Sequence, residues 1–209
     1  HILTIEDPIE YMFTDKQSII SQKEMGLDIE TFHDGLKYAL RQDPDIIMIG
    51  ELRDADSFKA ALKAAETGHL VLTTLHADTA ALALSRVLEY FPSGEHDQRL
   101  ADLSKNMRAI IGQRLIPTLE GGVRPANEIL LNTAAVKMLI SDNELDKIPS
   151  AIDGGTNDGM QSFDSALLAL KKDGHIDQAT AETFATNKES LRMRAKGIQI
   201  KSGGGILGS

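Results

Sequence analysis

The first 76 residues alternate short β-prone runs with helical ones, and every β-prone run stops at residues that can do chemistry. His1 to Ile5 ends at Glu6-Asp7-Pro8, where proline has no N–H to continue a central strand. Ile46 to Ile49 closes at Gly50-Glu51, and Leu70 to Leu75 stops at His76. Thr31 caps a helix carrying Phe32, Leu36 and Leu40 on one face, and the chain leaves it through Asp43-Pro44. A second, Ala-rich helix with Phe58, Leu62 and Ala65 runs from about Asp54 to Thr67 and ends at Gly68. Strands alternating with helices imply βαβ units and therefore a parallel sheet.

Further along, Asp78 is placed to cap a helix bearing Leu82, Val87, Leu88 and Phe91, which Pro92 stops. A long helix is expected from Glu95 to Arg114. Gly121-Gly122, between Ile116 to Leu119 and Glu128 to Leu131, predicts a hairpin at the sheet edge. Beyond Thr133 only short helical patterns remain: Ala134 to Ile140, Phe163 to Lys172, Gln178 to Phe184 and Glu189 to Ala195. The expected organisation is an α/β core over 1–132, a small helical subdomain over 133–196 and a flexible, glycine-rich tail over 197–209. Hydrophobic residues make up 42% of the chain, enough for a proper core, and with only 4% aromatics it is carried by Leu, Ile and Ala.

At the carboxyl edge of a parallel sheet, where open α/β sheets bind ligands, the strand ends would line up two acids and an imidazole. Such a set offers a base to activate water, an acid to hold a hydrated metal ion and an imidazole to meet a phosphate, the services that phosphoryl transfer needs. Taken singly, each has a plainer reading: a glutamate at a helix start, an aspartate opening a turn, a histidine in a core or loop. The net charge of -9 argues against nucleic acid or an anionic membrane as a general partner. There is no cysteine for a disulfide or a cysteine-ligated metal, which suits the cytosol, and no apolar run approaches the ~20 residues of a membrane span.

Three stretches, in order, resemble motifs of the type II and type IV secretion ATPases. Leu3-Thr4-Ile5-Glu6-Asp7-Pro8-Ile9-Glu10 is similar to their Asp box, and Asp45 to Asp54 to their Walker B strand. Thr67 to His76 is similar to their His box, and Gly159-Met160-Gln161-Ser162-Phe163-Asp164 resembles a C-terminal signature of the PilT and PilU retraction enzymes. The resemblance implies a RecA-like P-loop NTPase core with ATP and Mg²⁺ as nucleotide and metal. It makes Glu6 the general base, Glu51 the acid that positions Mg²⁺ through water and His76 a contact of the terminal phosphate. Asp7, Arg53 and His69 fall at neighbouring motif positions implied to bind the nucleotide, although His69 is equally suited to bracing its strand from inside. It further implies a homo-hexamer at the cytoplasmic face of the bacterial inner membrane, acting on the pilus platform beside another retraction ATPase.

Nothing in the chain matches Gly-x-x-x-x-Gly-Lys-Ser/Thr, the loop whose amides cradle phosphates. In this family that loop precedes the Asp box, so it is expected upstream of His1. The relatives that extend pili or secrete proteins usually insert a four-cysteine zinc loop after the segment that reads here Gln113-Arg114-Leu115; its absence favours retraction. PilT carries Ala-Ile-Arg-Asn-Leu-Ile where this chain has Ala135-Val136-Lys137-Met138-Leu139-Ile140, a departure that leans toward PilU. An accessory subunit with little hydrolysis of its own, or a type II secretion or pilus-assembly ATPase, are the alternatives. Lys188, Arg192, Arg194, Lys196 and Lys201, set against Glu189 alone, form either a solvated basic end or, with Leu191 and Met193, a docking element for an acidic partner surface.

Overall fold

The computed structural model describes residues 1–196. They form two compact units, one made of His1–His76 with Arg86–Asn106, the other of Ala77–Ser85 with the described residues from Met107 on. The ribbon of residues 109–131 thereby belongs with the C-terminal helices, whereas the division at 132/133 groups it with the sheet.

The first unit is a four-stranded parallel sheet of order β2-β1-β3-β4, with β1 Ile2–Glu6, β2 Ile20–Glu24, β3 Ile46–Ile49 and β4 Leu70–Thr73. Strand β2, with the polar sequence Ile-Ser-Gln-Lys-Glu, has no apolar alternation to betray it and was not expected. Helix α1 (Phe32–Ala39) begins at Thr31, whose side chain accepts the Asp34 N–H. Helix α2 (Ala55–Glu66) begins with a capping box: Asp54 accepts the Ser57 N–H, and the Ser57 hydroxyl accepts from the Asp54 N–H. That contact holds the Asp54 carboxyl below its ordinary value. Gly68, at φ +97°, ends α2 in the left-handed conformation that glycine adopts without strain.

Strand residues alternate between faces. Leu3, Ile5, Ile47 and Ile49 point to one side and are buried against Leu36 and Ala39 of α1 and Phe58, Ala61 and Ala64 of α2. Each such aliphatic side chain contributes about 1.5–3 kcal/mol on burial. On the other face, register pairs Thr4 with Gln22 and Met48, and Met48 with Leu72. There Leu70 and Leu72 remain 46% and 48% exposed.

In the second unit, β5 (Ala109–Pro117) and β6 (Val123–Leu131) form an antiparallel ribbon that turns through Gly121 and Gly122, both at positive φ. The hairpin is longer than expected and forms a two-stranded sheet of its own, with one further antiparallel bridge between Ile129 and Gln161. The helix expected from Glu95 to Arg114 covers only His96–Asn106 (α4, in the first unit), because the alternation from Ala109 onward is that of a half-buried strand. Helix α3 (Ala80–Glu89) is capped by Thr79, whose hydroxyl accepts the Leu82 N–H, rather than by Asp78. On the ribbon, Ile116 and Ala126 pack against Phe163, Ala166 and Leu167 of α7 (Phe163–Lys172), with Ala181 of α8 (Gln178–Phe184) and Leu191 of α9 (Lys188–Ala195). Helices α5 (Ala134–Ser141) and α6 (Ile148–Gly154) bury Val136, Ile140, Ile148 and Ile152.

The basic C-terminal helix is largely spoken for. Leu191 is fully buried, Arg194 makes two hydrogen bonds to Asp153 at 3.1 and 2.8 Å, and Arg192 donates to Glu182 at 2.6 Å, holding that carboxyl down to about 2. Leu191 therefore cannot contribute to a docking surface, whereas Arg192 stays 58% exposed and Met193 46%. Residues 197–209, where a flexible tail was expected, lie outside the described residues.

Candidate active site

Glu6 is the last residue of β1, Glu51 follows β3 by two residues and His76 follows β4 by three. Because the three strands are adjacent and parallel, their ends share one edge of the sheet. Two bonds beyond the ladder extend that alignment: Leu52 N–H donates to the Thr74 carbonyl at 3.0 Å, and Thr74 Oγ1 donates to the Gly50 carbonyl at 2.6 Å. Gly50 N–H donates to the Ile5 carbonyl at 2.8 Å, so the turn before Glu51 lies directly against the end of β1.

The side chains then form a line. Arg53 donates from Nη1 to Asp7 Oδ2 at 2.6 Å and from Nε to Glu51 Oε1, bridging the carboxylates that end β1 and β3. His76 Nε2 lies 3.1 Å from Glu51 Oε2; since a carboxylate only accepts, that nitrogen carries the proton. Asp7, Arg53, Glu51 and His76 are thus one connected set, with the imidazole outermost and 92% exposed.

Glu6 stands apart from that set and is only 8% exposed. Thr4 Oγ1 donates to its Oε1 at 2.5 Å, and Gln22 Nε2 donates to the same oxygen at 2.9 Å. Neither Thr4 nor Gln22 was expected to serve the site. Thr4 could have been found, because a residue two before Glu6 on a strand shares its face; Gln22 could not, because its strand was missed.

His69 is not brought to this edge. It precedes β4, a strand length of about 13 Å from the carboxyl ends. Its Nδ1 lies 3.2 Å from both the Ala64 carbonyl and Thr67 Oγ1, so it fastens the C-terminus of α2 to the start of β4. These contacts are those of the bracing alternative, and they leave His69 away from the strand ends that carry Glu6, Glu51 and His76.

The donor set bears on the metal. Among the described residues no group of three His, Cys, Asp or Glu is placed to cage a metal ion. Mg²⁺ in nucleotide enzymes takes one or two carboxylates, with phosphate oxygens and waters completing its shell, and Glu51 fits the water-mediated form of that arrangement.

A parallel α/β sheet with acids and an imidazole along its carboxyl edge is placed to bind a ligand there, and a solved structure shares the fold. Over 92% of this chain and 54% of the other, it superimposes with a TM-score of 0.81 and 41% identity on the crystal structure of the pilus retraction motor PilT with bound ADP. Residues 1–193 match the model of the type II/IV secretion system protein family, and the chain belongs to that family. Among curated relatives it is 44% identical to the type IV pilus ATPase PilU of Pseudomonas aeruginosa, over 94% of this chain and 52% of that protein. It is 41% identical to the retraction ATPase PilT of the same organism, over 91% of this chain and 56% of that protein. The chain spans about half the length of the curated relatives it matches.

Proposed function

We propose that the whole protein is an ATP-hydrolysing motor subunit for type IV pilus retraction and twitching motility. The observation that carries this is the convergence of Glu6, Asp7, Glu51, Arg53 and His76 on one sheet edge, delivered by three strand ends, in a chain whose relatives are pilus ATPases. Glu6 is the general base: its free oxygen takes a proton from water as the water oxygen attacks the terminal phosphorus and the bond to the leaving diphosphate breaks. Glu51, held by Arg53 and, before nucleotide binds, by His76, would hold hydrated Mg²⁺ through water, and the ion would supply positive charge to the phosphates. His76, almost fully exposed, has room to exchange its bond to Glu51 for one to the terminal phosphate when nucleotide binds. In the whole protein the subunit works as a homo-hexamer at the cytoplasmic face of the inner membrane, with the pilus platform and another retraction ATPase as partners. Among the described residues no helix is long and apolar enough to cross a membrane.

The phosphate-cradling loop is proposed to come from the part of the whole protein outside this chain. In support, the relatives are about twice as long, and Leu70 and Leu72 of β4 are about half exposed on a sheet face, whereas parallel sheets are ordinarily covered on both faces.

In the full-length protein, Glu6→Gln is expected to lower turnover by roughly two to four orders of magnitude while leaving nucleotide binding intact. Glu51→Gln is also expected to cut turnover, through Mg²⁺ and water placement. Phosphate release at the parental rate would remove the substituted residue from the site. The 209-residue chain alone is expected to bind ATP poorly, and micromolar Mg²⁺-dependent binding of a fluorescent analogue would show that the phosphates are held by something other than the missing loop.

A further inference from the structure

Strand β2 ends in Glu24, in register with Glu6, and a second of its side chains, Gln22, makes three hydrogen bonds near that edge. Gln22 Nε2 donates to Glu6 Oε1 at 2.9 Å and to the Tyr11 carbonyl at 2.9 Å, while its Oε1 accepts the Phe13 N–H at 2.7 Å. Register places Gln22 directly beside Thr4, whose hydroxyl reaches the same Glu6 oxygen at 2.5 Å. An amide has two donors and an acceptor, and here one donor serves the carboxylate while the remaining donor and the acceptor clamp the loop. Tyr11, Met12 and Phe13 themselves stay 76%, 78% and 51% exposed, so packing does not hold that loop and the amide bonds do.

We propose that Gln22 and Thr4 are positioning residues for Glu6: by donating to one carboxylate oxygen they fix its orientation and reserve the other oxygen for the proton of the attacking water. This rests on Glu6 being the base. A carboxylate on a two-methylene side chain otherwise samples several orientations, and two donors from neighbouring strands select one. Both donors approach Oε1, and among the described residues no hydrogen bond is made to Oε2. Because Gln22 also grips Tyr11 and Phe13, the orientation of Glu6 is tied to the conformation of an exposed loop, whereas the contribution of Thr4 is not. The two holders are thus separable by experiment.

The test uses the full-length protein with Gln22→Met, Thr4→Val and Thr4→Ser, each with and without Glu6→Gln. Removing one charge-assisted donor is expected to lower kcat about ten- to a hundredfold with KM for ATP and the Kd of a fluorescent ADP analogue within about twofold, and Thr4→Ser, which keeps the hydroxyl, restores it. In the Glu6→Gln background the same substitutions change the residual rate little. Hydrogen exchange separates the roles: amides of residues 11–13 exchange faster in Gln22→Met and at the parental rate in Thr4→Val. Parental kcat in both Gln22→Met and Thr4→Val, or an equal fall of kcat with and without Glu6→Gln, overturns the proposal. A normal rate for Glu6→Gln alone would instead overturn the assignment of the base, so the two failures read differently. If Gln22→Met does not fold, the Thr4 pair decides.

Discussion

Replacing Arg53 with lysine separates what the charged line at the sheet edge does for catalysis from what it does for stability. Arg53 is 51% exposed, and its partners Asp7 and Glu51 are partly open to solvent as well. Exposed ion pairs contribute about 0.2–1 kcal/mol, and lysine keeps one of the two contacts, so the loss of stability is expected to stay below about 1 kcal/mol. For a chain of this size that shifts the melting temperature by roughly 2–4 °C at most. The geometric consequence is larger. A guanidinium reaches Asp7 at 2.6 Å and Glu51 simultaneously because its donors point in a rigid fork; an ammonium on a flexible stem cannot hold both. With the ammonium on Asp7, Glu51 is restrained only by His76, and a misplacement of about 1 Å in a catalytic group costs on the order of a hundredfold in rate. Phosphate release by the full-length variant at saturating ATP, alongside its melting curve, is the assay. A hundredfold lower kcat with nearly unchanged melting is expected. Parental turnover would reduce Arg53 to a solvated surface pair, and a melting point lower by more than about 10 °C would make it a structural residue whose catalytic effect is indirect.

Two further substitutions probe the fold of each unit. Asp54→Ala removes the capping carboxylate of α2 and is expected to cost about 1 kcal/mol in urea unfolding. Since the folded chain holds that carboxyl below its ordinary 3.8, the difference from the parent is present above that value and vanishes as pH falls through the folded value. Glu128 is buried on the ribbon and accepts the Ala80 N–H at 2.8 Å, and burial pushes its carboxyl up from 4.5. Its contribution is therefore full below 4.5 and is lost as pH rises through the folded value, so Glu128→Gln, which keeps the acceptor and removes the charge, is expected to melt above the parent at neutral pH. The advantage should shrink to nothing on acidification, and a variant less stable at every pH would mean that the negative charge itself is needed at the start of α3.

Strands β1, β3 and β4 were legible because each is a short apolar run with a hard stop, and because helices with clear caps, Thr31 and Asp54, stand between them. Their parallel order follows from that alternation alone. Strand β2 was not legible: Ser21, Gln22 and Lys23 look like loop residues, and only pairing with β1 makes them a strand. The long helix expected to Arg114 failed for a related reason. Ala109 to Pro117 alternates buried and exposed residues as a ribbon strand must, but apolar residues also sit at Ile110, Ile111, Leu115 and Ile116, spacings a helix shares. The acids and the imidazole could be read at the ends of runs, yet His69 and His76, similar in sequence context, part company because one precedes its strand and the other follows it.

That difference generalises to the whole site. Residues that end strands declare themselves, since the chemistry of an open α/β sheet sits where strands stop; residues that hold those side chains in place do not, since they are defined by register between strands. Thr4 and Gln22 face each other across β1 and β2 only in the observed pairing, and a slip of one residue would turn Gln22 to the apolar side and bring Ser21 or Lys23 beside Thr4. With Ser21, a shorter donor would stand farther from Glu6; with Lys23, a full positive charge would pair with the base and oppose its taking a proton. A neutral donor, long enough to reach Glu6 and with a second donor and an acceptor left for the loop, is what glutamine alone among these three supplies. The polar strand that carried no message in the sequence is therefore the one whose register the proposed base depends on most.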